Sequence, residues 1–348
     1  MECLQKAKLI GLRKNKVKKR ILVTGSEGYI GQHLVEHLLK KDFEVIGCDL
    51  CWYDEAFVCK RETGYKLLNI DFDHLTQEDL SGVDSVCHLA AISNDPMGDL
   101  DPSITLDINE EKTISFAEKC SSWGVGQFIF SSSCSVYGEA VEDIVNENSA
   151  LNPVSLYAET KCSVEKALAS LNSDYFSTTS LRNATAYGHS SNLRLDLVIN
   201  DFVSTAHCTG SIKMLSDGEA HRPLVHCRDI AHAFVSSIEA SQEDTHGLIV
   251  NVGPLDANLK VVDMAKMVQS EFGNCSLEIG EGAGRDARDY AVDFSLFGKV
   301  FPEFKFEYSL ESGIQALRKS LDQINFSQSD HSGGRFKRLA LLRRALSL

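Results

Sequence analysis

The sequence predicts an α/β protein built on an open parallel sheet. Short apolar runs rich in β-branched residues alternate with segments of helical periodicity, which is the order that a parallel sheet requires. The first run leads directly into a Gly-rich turn and a helix. The chain has 348 residues, 43% of them hydrophobic, so it can bury a large nucleotide-binding unit together with a smaller lobe.

The first strand and helix are joined by the Gly-rich turn. Residues 20–24 form an apolar run, and residues 25–31 follow with the sequence Gly-Ser-Glu-Gly-Tyr-Ile-Gly. A second apolar run over residues 43–48 ends at Asp49. Apolar residues recur at helical spacing between the two runs, at Ile30, Leu34, Val35, Leu38 and Leu39. The pattern predicts a βαβ unit.

The three glycines of this turn fit a dinucleotide. Gly25 allows a tight turn, Gly28 lets the backbone approach a pyrophosphate, and Gly31 permits close packing of the helix on the strand. The phosphates would lie at the positive end of the helix. Asp49 stands where a carboxylate accepts hydrogen bonds from a ribose 2′-OH and repels a 2′-phosphate, which favours NAD over NADP. Glycines that only turn or cap the backbone are the alternative.

Two further runs continue the sheet. Residues 67–72 are predicted as a strand that ends near the adenine, where Asp71 could accept from the adenine amino group. Residues 83–91 form the next strand, and the small Ala90 and Ala91 would let its backbone pass close to the cofactor. A tight crossing within the sheet would need the same small residues.

A serine, a tyrosine and a lysine follow in the order needed for proton and hydride transfer. Residues 126–133 form a buried strand that ends at Ser133, and ligands of parallel sheets bind outside such ends. Tyr157 and Lys161 stand four residues apart on one face of a predicted helix over residues 157–171. The Tyr-x-x-x-Lys spacing alone is weak, and its position after the serine-ended strand gives it weight.

These three side chains could transfer a proton together. A phenol has a pKa near 10, and the ammonium of Lys161 and a positive nicotinamide ring would lower the pKa of Tyr157 toward neutrality. Tyr157 would then take the proton of a substrate hydroxyl while the same carbon gives up a hydride. Ser133 would hydrogen-bond the same oxygen. The alternative roles are a turn cap, a half-buried aromatic ring and a surface cation.

Charge and cysteine content exclude several classes of function. The formal net charge of −14 argues against nucleic-acid binding. The eleven cysteines lack the spacing of a disulfide framework or a zinc site, so we expect reduced thiols, no metal and a cytoplasmic protein. No stretch is long and apolar enough to predict a membrane span, and the N-terminal residues lack the apolar region of a secretion signal.

Both ends of the chain are basic. Residues 1–19 are interpreted as a basic N-terminal extension and residues 326–348 as a basic C-terminal tail. Leucines alternate with arginines at helical spacing in the second of these segments. We expect both ends to be solvated or docked on a partner.

Six motifs occur in an order typical of one protein family. They are Thr24–Gly31, His88–Ala91, Ser131–Gly138, Tyr157–Lys161, Arg182–Gly188 and Arg222–Asp229. On these motifs, over about residues 21–295, the chain resembles the extended short-chain dehydrogenase/reductase family. The resemblance is to its NAD-dependent nucleotide-sugar epimerases and dehydratases, in particular the UDP-glucose 4-epimerase type.

The resemblance implies a doubly wound parallel Rossmann sheet of about seven strands with a smaller C-terminal α/β substrate-binding lobe. It places the NAD-binding domain at residues 20–188, with residues 222–252 returning to it, and the substrate lobe at residues 189–221 and 253–325. It also implies tightly held NAD, a nucleotide-diphosphate sugar as substrate and a homodimer.

The resemblance assigns catalysis to Ser133, Tyr157 and Lys161. Cofactor contacts would come from the turn, the strand ends and the catalytic pair: Gly25, Gly28, Tyr29, Ile30, Gly31, Asp49, Asp71, Phe72, Leu89, Ala90, Ala91, Asn109, Ser131, Tyr157 and Lys161. Substrate contacts would come from Ser93, Cys134, Ser135, Thr185, Arg222, Arg285 and Arg288. Asn109 resembles a structural or relay asparagine, and Arg222 resembles the arginine whose guanidinium fork binds the substrate diphosphate.

Two departures from the family pattern bear on the reaction. Cys134 and Ser135 replace the Asp-Glu pair that serves as acid and base in the family's dehydratases, and decarboxylases tend to have glutamate in place of Ser135. Cys134 could still act on the substrate, although a small buried residue is the favoured interpretation. Thr185 and Lys112 replace the asparagine and glycine of many members, which changes the sugar contacts.

The resulting hypothesis is a C4 epimerase that works through a transient 4-keto sugar. A ketosugar reductase or dehydrogenase, a dehydratase or decarboxylase, and a non-catalytic NAD-binding scaffold are the alternatives.

Overall fold

Seven parallel strands form the central sheet of the protein. A computed structural model describes residues 18–93, 100–284 and 289–346. Its strands are β1 (Arg20–Thr24), β2 (Glu44–Cys48), β3 (Lys66–Leu68), β4 (Ser85–His88), β5 (Gln127–Ser133), β6 (Glu139–Val145), β7 (Ser177–Asn183), β8 (Thr185–Tyr187), β9 (Ser211–Ser216), β10 (His221–His226), β11 (Leu248–Val252), β12 (Asn258–Lys260), β13 (Ser276–Gly284) and β14 (Asp289–Val292). The large sheet has the order β11-β7-β5-β4-β1-β2-β3, with all neighbours parallel.

Helices of the described residues are α1 (Gly31–Lys40), α2 (Pro102–Leu106), α3 (Lys112–Ser122), α4 (Leu156–Leu171), α5 (Val198–Thr209), α6 (Cys227–Glu239), α7 (Gln242–Thr245), α8 (Val261–Phe272), α9 (Ser295–Val300), α10 (Leu310–Gln323), α11 (Gln328–Ser332) and α12 (Arg338–Ala345). Of these, α1 and α6 cover one face of the large sheet, and α3 and α4 cover the other. Because successive strand residues point to opposite faces, Ile21 and Val23 pack in a core with α1 and α6, whereas Leu22 packs with α3 and α4. The arrangement confirms the predicted doubly wound α/β class.

A second lobe follows the large sheet in sequence. Its small sheet has the order β12-β10-β8, and two strand pairs, β9 with β13 and β6 with β14, are parallel. Buried residues of α5, α8 and α10, among them Ile199, Met264 and Leu317, form its core. The chain returns to the large sheet at β11, which pairs with β7. The exact limits of the two domains remain predictions.

The C-terminal segment folds back onto the chain. Phe336, Arg338, Leu341 and Leu342 are all buried, and Leu342 packs with Ile92 just after β4. The expectation of a solvated or partner-docked tail is therefore wrong for this segment, because its leucines and one arginine are covered by the protein itself. The basic N-terminal extension lies outside the described residues up to position 17.

The third strand is shorter than the sequence predicts. β3 ends at Leu68, and Asp71 accepts a hydrogen bond from the backbone N–H of Asp73 (3.3 Å), which begins a 3₁₀ turn at Phe72–His74. A carboxylate that bonds the local backbone competes with strand formation, so the apolar run breaks there. Among the described residues no helix is long and apolar enough to cross a membrane.

Candidate active site

A continuous cleft of about 1050 Å³ lies at the carboxyl ends of the central strands and extends to the second lobe. Most predicted site residues line it: Gly25, Gly28, Tyr29, Ile30, Gly31, Asp49, Asp71, Phe72, Leu89, Ala90, Ala91, Ser93, Ser131, Ser133, Ser135, Tyr157, Lys161, Thr185 and Arg222. Cys134 and Asn109 do not line the cleft. Arg285 and Arg288 lie outside the described residues.

The Gly-rich turn forms one wall of the cleft. Gly25 has a φ of +72°, and a Cβ atom at Gly25 would lie 2.8 Å from the backbone nitrogen of Ala90. A Cβ atom at Gly31 would lie 2.0 Å from the carbonyl oxygen of Gly25. Side chains are therefore excluded from both positions, and residues 28–31, where α1 begins, line the cleft. This geometry fits the diphosphate of a dinucleotide.

Asp49 follows β2 and joins this turn to the next loop. One carboxylate oxygen accepts from the backbone N–H of Glu27 (3.0 Å) and the other from the backbone N–H of Cys51 (2.8 Å). Burial raises the pKa of Asp49 to about 6. The carboxylate is thus held at the wall of the cleft, at the position predicted for the ribose.

Asp71 and Phe72 form the next part of the wall. The carboxylate of Asp71 already accepts from the backbone N–H of Asp73 and lies 3.2 Å from Nζ of Lys112, which also pairs with Asp107 (2.9 Å). In the predicted contact with adenine, the carboxylate of Asp71 would therefore have to accept a further hydrogen bond beside those from Asp73 and Lys112. Lys112 acts here as an ion-pair partner and does not line the cleft.

Asn109 supports the loop after β4. It lies in a π-helical turn between α2 and α3 (Asp107–Glu111), and its side chain is buried. Its amide oxygen accepts from the backbone N–H of Ile92 (2.8 Å), and its amide nitrogen donates to the carbonyl of Ile92 (2.9 Å). Both ends of the amide are thus used on the backbone. The geometry supports the structural role of Asn109 rather than the predicted direct contact with the cofactor.

Ser133, Tyr157 and Lys161 line the same cleft. Ser133 ends β5, and its hydroxyl oxygen accepts from the backbone N–H of Ser135 (3.1 Å), which leaves the hydroxyl proton for another acceptor. Tyr157 lies in the first turn of α4, whose N-terminus is capped by Ser155. The Nζ atom of Lys161 lies 5.5 Å from the centre of the Tyr157 ring.

The ammonium of Lys161 is buried between the strand and the helix. It is 3% exposed, donates to the carbonyl of Ser131 (2.9 Å) and lies 4.5 Å from the centre of the Phe130 ring. Burial lowers the pKa of Lys161 to about 7 in the ligand-free protein. A phenolate at Tyr157 would favour the charged form of this lysine, so the two protonation states are coupled.

A buried ion pair fixes α4 behind these groups. Arg182 on β7 and Glu165 on α4 form two short contacts, Nε to Oε1 at 3.0 Å and Nη2 to Oε2 at 2.7 Å. The hydroxyl of Ser132 donates to Glu165, and Nη1 of Arg182 donates to the hydroxyl of Tyr137 (3.0 Å). The network ties the strand that bears Ser133 to the helix that bears Tyr157 and Lys161.

The predicted substrate contacts divide into two groups. Ser135, Thr185 and Arg222 line the cleft, and the guanidinium of Arg222 lies 5.8 Å from the centre of the Tyr290 ring. Cys134 is buried away from it, and its thiol donates to the carbonyl of Arg182 (3.1 Å). Burial raises the pKa of the Cys134 thiol far above its ordinary value. This geometry supports the small buried residue that the sequence favours.

Four further residues of the cleft were missed by the motif analysis. Tyr53, Arg194, Asp196 and Arg338 all line the cleft, and both arginines are buried. Arg194 donates to Asp196 (Nε to Oδ1, 2.7 Å) and to the hydroxyl of Ser93 (2.9 Å). None of them belongs to a short motif, although the alternation of leucine and arginine in the C-terminal segment was a signal for a packed helix.

Comparison with known proteins agrees with this geometry. The profile of the NAD dependent epimerase/dehydratase family matches residues 21–253. A UDP-glucose 4-epimerase of Lactobacillus helveticus is 26% identical, with 72% of this chain and 81% of the relative covered. An uncharacterized UDP-glucose epimerase of Bacillus subtilis, YtcB, is 31% identical, with 70% and 80% covered.

Solved structures share the fold. The NAD dependent NDP-hexosamine 5,6-dehydratase TunA of tunicamycin biosynthesis superposes with a TM-score of 0.78 at 25% identity, with 88% of this chain and 98% of the other covered. MoeE5 in complex with UDP-glucose and NAD superposes with a TM-score of 0.75 at 24% identity, with 87% of this chain and 99% of the other covered. At this identity the likeness shows a common fold only. The predicted cofactor NAD is confirmed at the level of the family, and the Gly-rich turn and Asp49 fit it. The resemblance to nucleotide-sugar epimerases and dehydratases is likewise confirmed, and this chain belongs to the NAD dependent epimerase/dehydratase family.

Proposed function

We propose that this protein is a 4-epimerase of a nucleotide-diphosphate sugar that works through a transient 4-keto intermediate. The observation that carries the proposal is the meeting of Ser133, Tyr157 and Lys161 in a cleft that continues to Arg222. One end holds groups for proton transfer at a carbinol, and the other lobe supplies a buried guanidinium suited to a diphosphate.

The chain's own residues move the proton and hold the sugar. Bound NAD supplies the acceptor and donor of the hydride. Tyr157 takes the proton of the C4 hydroxyl as a phenolate. The ammonium of Lys161, whose Nζ atom lies 5.5 Å from the centre of the Tyr157 ring, stabilises the phenolate. The hydroxyl of Ser133 donates to the same oxygen and fixes its position. After the 4-keto sugar rotates in the cleft and presents the opposite face of C4 for return of the hydride, Tyr157 gives the proton back to the C4 oxygen.

The residue after the catalytic serine favours epimerisation over loss of water. Elimination needs an acid and a base beside the sugar, and the two positions that carry them in dehydratases are Cys134 and Ser135 here. The Cys134 thiol donates to a backbone carbonyl and does not line the cleft, and Ser135 offers a hydroxyl. Neither supplies the carboxylate that the elimination requires.

The relatives support the same reaction. Relatives from Lactobacillus helveticus, Corynebacterium glutamicum and Bacillus subtilis carry the name UDP-glucose 4-epimerase, at 25–28% identity. A UDP-glucuronate 4-epimerase is 24% identical. We therefore propose a UDP-sugar as the first substrate to test. The predicted homodimer and cytoplasmic location remain proposals of the same kind.

A panel of UDP-, GDP-, CDP- and dTDP-sugars, followed by proton NMR with and without added NAD, tests the proposal. We expect interconversion of C4 epimers without net formation of NADH. Stoichiometric NADH would show a dehydrogenase, and vinyl or keto signals with loss of water would show a dehydratase. Either result would overturn the proposed reaction, as would a lack of turnover on every sugar by protein that binds NAD.

A further inference from the structure

The side chain of Arg338 enters the cleft from the last helix. It is 2% exposed, and its Nη2 atom donates to the side-chain oxygen (2.5 Å) and the carbonyl (3.2 Å) of Asn192. The guanidinium carbon lies 4.5 Å from the centre of the Tyr53 ring. The Nη1 atom is buried and has no hydrogen-bond partner among the described residues. Leaving a buried charged donor without a hydrogen bond costs free energy.

Positive charge is in excess around Arg338. Arg194 is buried beside the same cleft, and its contacts with Asp196 occupy both carboxylate oxygens, at 2.7 and 3.3 Å. Burial and the neighbouring Arg194 lower the pKa of Arg338 to about 10, in spite of the opposite influence of Asp196. Arg338 thus lies near a second buried guanidinium, and the attraction of Asp196 offsets the repulsion from Arg194 only in part. An anion at this place would complete both hydrogen bonding and charge.

The position of Arg338 identifies which anion this is. Asn192, its hydrogen-bond partner, donates from its side chain to the carbonyl of Glu27 (2.8 Å) within the Gly-rich turn and to the carbonyl of Tyr53 (3.1 Å). Asn192 therefore links Arg338 by hydrogen bonds to the turn that fits a dinucleotide diphosphate. Arg222, the residue predicted for the sugar nucleotide, lies on strand β10.

The helix that bears Arg338 is fastened over the same end of the cleft. Arg335 donates to the carbonyls of Glu55 (2.6 Å) and Phe57 (2.8 Å), and Arg344 pairs with the carboxylate of Glu55 (2.7 Å). Leu342 packs on Ile92, which directly follows Ala90 and Ala91. These contacts hold residues 335–345, here named the C-terminal clasp, against the loops that follow β2 and β4.

We propose that Arg338 is a ligand of the dinucleotide diphosphate, so that the C-terminal clasp forms part of the NAD site. Its free Nη1 group donates to a phosphate oxygen, and Asn192 fixes the guanidinium by its other nitrogen. The inference depends on the NAD dependence of the family and is independent of the sugar and of the carbon that is inverted. A sugar nucleotide also contains a diphosphate, and the experiment separates the two sources.

Calorimetric titration of nucleotide-free protein with NAD and, separately, with UDP tests the proposal. We expect Arg338→Met to weaken NAD binding by roughly 10- to 100-fold and to leave the affinity for UDP within about twofold. Arg338→Lys should recover part of the loss, because it restores charge without the fork. Arg343→Ala, an exposed arginine on the same helix, is the matched control and should bind NAD as the unaltered protein does.

Two results of this titration would overturn the proposal. One is equal affinity for NAD in Arg338→Met and the unaltered protein. The other is loss of UDP binding with NAD binding intact, which would assign Arg338 to the sugar nucleotide. The titration measures binding of NAD and UDP and does not depend on the epimerase assay. A negative result in that assay would therefore overturn the proposed reaction without overturning the role of Arg338.

A measurement on the unaltered protein covers the case in which the Arg338 variants do not fold. Amide hydrogen exchange of residues 335–345 is followed in the free protein and with saturating NAD, ADP or adenosine. We expect NAD and ADP to slow exchange in the clasp and adenosine, which has no diphosphate, to leave it unchanged. Exchange that NAD does not alter, or that adenosine slows as much as ADP does, would contradict the proposal.

Discussion

The two ends of the cleft hold their buried cations in different ways. At the catalytic end, Arg182 is bound by both oxygens of Glu165, and Lys161 donates to a strand carbonyl. At the clasp end, Arg194 is paired with Asp196, and the Nη1 atom of Arg338 has no hydrogen-bond partner among the described residues. The first end is thus assembled by the chain alone, whereas the second is completed by a ligand.

The elements behind each end explain this difference. The catalytic residues lie on β5 and α4, which the Glu165–Arg182 network locks to the sheet. The clasp residues come from a loop and from the last helix, and Arg338 and its partner Asn192 are 146 positions apart in sequence. Rigid elements suit groups that must be in place before the substrate binds. Residues that hold a ligand can come from segments that order around it.

The largest expected effect is a loss of turnover in a variant that keeps its fold. Tyr157→Phe removes the group that carries the proton, and we expect turnover to fall by about 10³-fold, within the range of general acid–base catalysis. NAD content and affinity should stay as they are, because the phenyl ring keeps its place. Initial rates and bound NAD per chain measure the two quantities. A near-normal rate would show that another group is the base.

A second change tests whether the catalytic end is stabilised by the chain alone. Glu165→Gln leaves the guanidinium of Arg182 buried without its charge partner, and we expect a loss of about 3 kcal/mol in the free energy of unfolding. Urea unfolding of nucleotide-free protein measures it. Glu159→Gln, at an exposed position of the same helix, is the control and should change little. Equal midpoints for both variants would contradict the assignment of stability to this pair.

The smallest effect concerns the pH dependence of stability. Burial lowers the pKa of Lys161 from its ordinary 10.5 to about 7, so between these values the unfolded chain binds a proton that the folded chain does not. The cost of burying the charged form of Lys161 is therefore full below about pH 7, and the stability of the protein rises with pH from about 7 to about 10.5 as this cost is relieved. From pH 7 to 8.5, the unaltered protein should gain about 2 kcal/mol more than Lys161→Met. An equal change in the free energy of unfolding between pH 7 and pH 8.5 for the two proteins, measured by urea unfolding, would refute this.

The sequence predicts the Gly-rich turn and the catalytic residues better than it predicts the C-terminal clasp, for a physical reason. Gly25, Gly31, Asp49 and the Tyr157–Lys161 spacing lie in short segments whose local geometry is fixed by strand, turn and helix. Cys134 and Asn109 lie in equally recognisable segments. The directions in which their side chains point depend on Arg182 and Ile92, which contact them only in the folded protein.

Arg338 was interpreted from its neighbours in sequence as part of a basic tail. Tyr53 and Asn192 contact its guanidinium in the folded protein, and no local pattern brings these residues together. The parallel sheet with helices on both faces follows from the alternation of apolar runs. The docking of the last helix does not, because it depends on contacts between distant parts of the chain.

The fastening of Arg335 to Glu55 joins positions 280 residues apart. During synthesis the Gly-rich turn leaves the ribosome early, and the sheet can begin to fold while the rest of the chain is still being translated. The C-terminal clasp is translated after every strand of the large sheet. With Arg338 as a ligand, stable capture of NAD therefore has to wait until the clasp has been translated and has docked.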